Sequence, residues 1–100
     1  MNYSVATTTF YRDLTDLRLA MAVKTLTALR NQGTFVAMVD GSPDPIRDAL
    51  RATGAHIIDE PIGFTMGAGR RRALYEASIV GPGDAVVWME PEKYTLVPYL

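Results

Sequence analysis

Short apolar runs rich in β-branched residues alternate with stretches of helical periodicity along the whole chain, and this alternation limits the available folds more than any other feature. Residues 3–9 (Tyr-Ser-Val-Ala-Thr-Thr-Thr) read as a strand. Leu19, Ala22, Val23, Leu26 and Leu29 then recur on one helix face, with Asp13 or Thr15 suited to cap its start and Gly33 to end it. Residues 34–39 are almost wholly apolar, as a strand covered on both faces must be. Gly41-Ser42-Pro43-Asp44-Pro45 predicts a turn, with Asp44 as helix cap and a proline in the first turn of a short helix carrying Ile46, Ala49 and Leu50. That helix ends at Gly54, and residues 55–58 form a brief third strand. A loop with Pro61, Gly63 and Gly67 leads into a helix from about residue 69 to 79. Gly81-Pro82-Gly83 breaks it, residues 85–89 (Ala-Val-Val-Trp-Met) make the fourth strand, and Glu90-Pro91-Glu92-Lys93 leaves that strand abruptly.

Repeated strand–helix alternation implies a parallel sheet with helices on its faces, because parallel neighbours need crossovers and those crossovers are right-handed. The expected fold is α/β: three layers, a mostly parallel sheet in strand order 3-2-1-4, helices on both faces, a Rossmann-like half-domain. With 100 residues the chain forms one domain with one core. It reads as an incomplete domain, ending on the apolar Leu96, Val97, Tyr99 and Leu100, a cluster suited to docking or self-association. Ligands of such sheets bind beyond the carboxyl ends of the strands, where the strand order reverses. That point lies between strands 1 and 4, so Thr7, Thr8, Thr9 and Phe10 should face Glu90 and Glu92, with Asp40 one strand away.

Composition removes several function classes. There is no cysteine, which excludes thiolate zinc sites, disulfide scaffolds and thiol nucleophiles, and a single histidine, His56, excludes any multi-imidazole centre. Ten Lys+Arg against eleven Asp+Glu leave a net charge of −1, so no global field draws the chain to nucleic acid. No run approaches the ~20 apolar residues of a membrane span, and the N-terminus lacks the pattern of a secretory signal. A cytoplasmic location is the expectation. His56, within an apolar strand, reads as a core or edge residue, and Trp88, between Val87 and Met89, as core.

Three segments remain that could carry chemistry. Glu90 and Glu92, separated by one residue at a strand exit, suit a hard divalent cation shared with substrate phosphates; the same four residues are also ordinary for a solvated turn. Asp40 could accept a hydrogen bond from a nucleobase imide or a ribose hydroxyl, although Asp-Gly-Ser-Pro-Asp is equally a good turn. Gly67-Ala68-Gly69-Arg70-Arg71-Arg72 opens a helix, where glycines admit close backbone approach and an arginine can grip phosphate oxygens. Arginines at a helix start also oppose its dipole, which hints at a bound anion. The run has neither the glycine spacing of a dinucleotide fingerprint nor the Gly-Lys-Ser/Thr of a P-loop.

Taken in order, the Val-Ala-Thr-Thr-Thr strand, Val39-Asp40-Gly41-Ser42-Pro43-Asp44, Gly67 through Leu74, and Val86-Val87-Trp88-Met89-Glu90-Pro91-Glu92 resemble the nucleotide-binding half of GT-A glycosyltransferases. The similarity is to the family-2-like nucleotide-diphospho-sugar transferases. It implies a domain that binds a UDP- or GDP-linked sugar for transfer to an acceptor the sequence does not specify. Thr8, Thr9, Phe10, Asp40, Gly67, Arg70 and Arg71 would then contact the nucleotide, and Glu90 and Glu92 would take the place of the family's Asp-x-Asp motif at Mn²⁺ or Mg²⁺. The chain departs from the family in having one aspartate before Gly41 and glutamates around a rigid proline. Two other readings stay open: a non-catalytic α/β module acting through protein contacts, and nucleotide binding without metal.

Overall fold

The strands assemble into one four-stranded, all-parallel sheet in the order β3-β2-β1-β4. In chain order the elements are β1 (Tyr3–Thr9), α1 (Leu17–Asn31), β2 (Phe35–Asp40), α2 (Asp44–Arg51), β3 (His56–Asp59), α3 (Met66–Ile79) and β4 (Ala85–Trp88). The structure, a computed structural model, describes residues 3–60, 66–81 and 85–93. Pro61, Gly63 and the apolar Leu96, Val97, Tyr99 and Leu100 lie outside the described residues.

Alternation of side chains along each strand divides the core in two. Val5, Val36 and Met38 point to one face, where Leu19, Ala22, Leu26 and Leu29 of α1 and Ile46 and Leu50 of α2 cover them. Ala6, Ala37 and Val39 point to the other, beneath Ala73 and Ala77 of α3. The three layers thus follow from a period of two in the strands meeting a period of 3.6 in the helices. Small residues let α3 ride close to the sheet. A methyl group at Gly69 would stand 3.6 Å from Thr8 Cγ2 and 3.8 Å from Val39 Cγ1, in ordinary contact with the strands' side chains. Among the described residues no helix is long and apolar enough to cross a membrane.

Element ends differ from the sequence expectations for local reasons. Asp16, not Asp13 or Thr15, caps α1: its carboxylate accepts from Arg18 N at 2.9 Å and also binds the Arg18 guanidinium. Asp13 instead closes the turn before the helix by accepting from Thr15 N. Asp44 is the first residue of α2 rather than its cap, and Pro43 occupies the cap position without a side-chain bond. Gly33 does end α1, with φ +79°, a conformation that disfavours a side chain. α3 begins at Met66, three residues early, so the Gly-Ala-Gly run is helix and not loop. His56 sits at the sheet edge, half-exposed, with Nε2 3.5 Å from Glu76 Oε2.

The capping turn makes the fold acid-sensitive in a defined direction. Hydrogen bonds from Arg18 hold the Asp16 carboxyl below its ordinary value of 3.8, and hydrogen bonds from Thr15 do the same for Asp13. A lowered folded-state value means stabilisation that is complete above pH 3.8 and lost as pH falls through the folded-state values. Thermal melts across this window should decline less steeply for Asp16→Asn than for the wild type. Equal slopes would show that the Asp16–Arg18 contact contributes nothing to the acid response.

Candidate functional site

A cleft opens where β4 leaves β1. The two strands pair only as far as Ala6 and Trp88, and Met89 N makes the last bond, to Ala6 O at 3.2 Å. On its other side β1 stays paired with β2 through Thr9 and Asp40. Pro91 has no N–H with which to continue the ladder, so Glu90, Pro91 and Glu92 diverge from the end of β1, where Thr7, Thr8 and Thr9 line the gap. The resulting cavity, of about 710 Å³, lies at the carboxyl edge of the sheet between the first and fourth strands. This is the reversal point of the strand order, where α/β sheets bind ligands.

Seven of the expected residues meet there: Thr7, Thr8, Thr9, Phe10, Arg70, Glu90 and Glu92 all line the cavity. Gly67 and Arg71 do not. Each helical residue turns the side chain by about 100°, so only one of three adjacent arginines can face a given direction. Arg70 faces the cleft and lies over the Trp88 ring, 5.4 Å from its centre. Arg72 pairs with Glu76 at 2.9 Å, and the Arg71 guanidinium lies beside Gly67. Because α3 starts at Met66, Arg70 stands in its second turn, where the dipole has faded. The arginines therefore do not stand at a helix start and do not oppose its dipole. Trp88 is likewise corrected: it packs against the α3-side core but also forms part of the cavity wall.

Asp40 requires the largest correction. It was expected to face a nucleoside, yet it is 0% exposed and does not line the cavity. Thr9 Oγ1 and Ser42 Oγ each donate to Asp40 Oδ1 at 2.7 Å, and Arg47 Nε approaches Oδ2 at 3.4 Å. Ser42 Oγ also accepts from Tyr11 N at 2.8 Å. Asp40 thus lies beneath the site and fixes the backbone at Tyr11. From there the Tyr11 hydroxyl donates to Glu92 Oε1 at 2.7 Å, and Arg18 lies over the Tyr11 ring at 5.6 Å. Burial, and then the bond to Glu92, raise the Tyr11 phenol well above its ordinary range, which keeps it a donor.

The donor set bears on the metal. Glu90 is 66% exposed at its side chain, with Lys93 Nζ 3.9 Å away, and one Glu92 oxygen is already engaged by Tyr11. Among the described residues no three His, Cys, Asp or Glu gather as a metal cage. Two carboxylates suit Mg²⁺ or Mn²⁺ only as an ion that takes its remaining oxygens from water and a bound phosphate, the usual habit of Mg²⁺. Thr7 adds a further polar group: its hydroxyl is buried in the cavity wall and has no hydrogen-bond partner among the described residues.

Sequence reasoning missed Tyr11, Arg18 and Glu60 as lining residues. A signal existed for Glu60, since it follows the end of β3 as Gly41 follows that of β2, at the edge where ligands collect. No protein-family model, curated protein or solved structure matches this chain.

Removing the buried carboxylate should be severe. Asp40→Ala strands the Thr9 and Ser42 hydroxyls and removes one of several acceptors of the Arg47 guanidinium, and should cost about 2–5 kcal/mol in denaturant unfolding. Tyr11→Phe should cost about 1.5–3 kcal/mol, the range for a hydrogen bond to a charged group. A near-neutral Asp40→Ala would mean that the network does not hold the site together.

Proposed function

We propose that the cleft binds a nucleoside-diphosphate sugar, as the nucleotide-binding half of a glycosyltransferase-type domain. The observation that carries this reading is one cavity, at the strand-order reversal, that brings together an arginine, an exposed aromatic ring and a pair of carboxylates. Arg70 supplies a forked cation for the diphosphate, held off the Trp88 face. Phe10, 58% exposed at the mouth, offers a stacking face for the base. Glu90 and Glu92 would hold Mg²⁺ or Mn²⁺, which when bound would neutralise the diphosphate and stabilise its departure from the sugar. Tyr11 restrains one Glu92 oxygen, so the other is the one directed to the ion. Gly67 and Arg71 have no part in this arrangement, and Asp40 acts only through Tyr11. The GT-A resemblance points the same way.

A second reading, association with another protein, is favoured by the outer side of α3, where Leu74, Tyr75 and Ile79, followed by Val80, are exposed.

Thermal unfolding with UDP- and GDP-linked sugars, with and without Mn²⁺, tests the proposal. Saturation at a hundredfold over Kd should stabilise the fold by about 2.7 kcal/mol, a rise of roughly 10 °C or more, and only with metal present. Glu90→Ala and Glu92→Gln should each remove the metal-dependent part, the glutamine retaining an acceptor for Tyr11. A nucleotide response that needs no metal would transfer the binding to Arg18 and Arg70. A nucleotide-blind protein that light scattering finds as a dimer would favour the second reading.

A further inference from the structure

We infer that Glu60 and Phe10 form the base-reading end of the cleft and select guanine, an inference that rests on the nucleotide reading above. Glu60 follows β3, and its backbone N–H donates to Asp40 O at 3.0 Å, which anchors the residue at the sheet edge. Its side chain lines the cavity, and its carboxylate has no hydrogen-bond or ion-pair partner among the described residues. The other carboxylates near this end are spent: Asp40 is buried on Thr9, Ser42 and Arg47, and Asp59 pairs with Arg47 and Arg51. Glu60 is thus the acceptor left for a ligand.

Gly41 sets the geometry. A Cβ there would run into Glu60 Oε2 and stand 3.2 Å from Phe10 Cδ2, so the carboxylate and the aromatic edge converge above that glycine. A base stacked on Phe10 would direct its edge at the carboxylate. The chain leaves β3 at Glu60 and β4 at Glu90, at the two edges of the sheet, about 14 Å apart at ~4.8 Å per strand interval, and the Glu60 side chain reaches inward over Gly41. A nucleoside diphosphate fits within that width.

A carboxylate has only acceptors, so it favours a base with two adjacent donors. Guanine alone presents N1–H beside N2–H₂. Uracil places its single N–H between two carbonyls, while cytosine and adenine set an acceptor next to their amino group, and each of these repels the second carboxylate oxygen. Paired donors of this kind discriminate by roughly 5- to 100-fold in affinity.

Calorimetric titration of the protein with GDP, IDP, UDP and CDP in Mn²⁺ tests this. GDP should bind tightest, and IDP, which lacks the 2-amino group, several-fold more weakly. Glu60→Gln should remove most of the GDP preference while leaving UDP affinity nearly unchanged. Gly41→Ala, whose methyl displaces the flexible end of Glu60, should weaken the preference with the fold intact by circular dichroism. Equal affinities for all four, or a Glu60→Gln loss that is the same for every base and therefore marks a ribose contact, would overturn the guanine assignment and leave the nucleotide site standing. Failure of all four to bind would remove both.

Discussion

A carboxylate with no exposure to water must be met by donors from the protein, and Asp40 is met from three parts of the chain. Thr9 ends β1, Ser42 lies in the turn after β2, and Arg47 sits in α2. Thr9 and Ser42 are buried and the Arg47 side chain is 16% exposed, so water cannot readily replace a donor that is lost. Arg47 is itself tied to Ser42 O at 2.9 Å and lies within 3.5 Å of Asp44 and Asp59. The carboxyl ends of the two central strands are thereby locked to the turn and helix that follow them. Ser42 passes this order to Tyr11, and Tyr11 passes it to Glu92, from the centre of the sheet to the segment beyond its last strand.

This chain of bonds explains how a short domain holds a wide cleft open. Strand β4 stops pairing after Trp88, and the loss of ladder bonds would leave Glu90 and Glu92 without support. The Tyr11 hydroxyl replaces that support with one bond linking residues far apart in sequence. The wall opposite is set by α3, whose small residues let it lie close and bring Arg70 to the rim over Trp88. Positive groups and carboxylates share the cavity without neutralising one another directly: Arg18 is paired with Asp16 outside it, and Arg70 leans on an aromatic face. An anionic ligand accompanied by a cation would complement such a lining better than either would alone.

The strand order, the two-sided core and the position of the cleft were all legible in the residues. Alternating strands and helices demand parallel pairing, right-handed crossovers dictate where the order reverses, and Pro91 after a short apolar run marks where the last strand must end. These are local or topological rules, and they hold whichever side chains occupy the surface. What tertiary structure alone decided is which atoms face the ligand. Arg70 was separated from Arg71 and Arg72 by the phase of a helix whose start was displaced by three residues, and that phase follows from packing on the sheet. Asp40 was sent inward because Thr9 and Ser42, respectively distant and near in sequence, converge on it, while Tyr11 came to hold Glu92 across 81 positions. Contacts of that range have no periodic trace in a sequence; they exist only once the strands have been laid side by side.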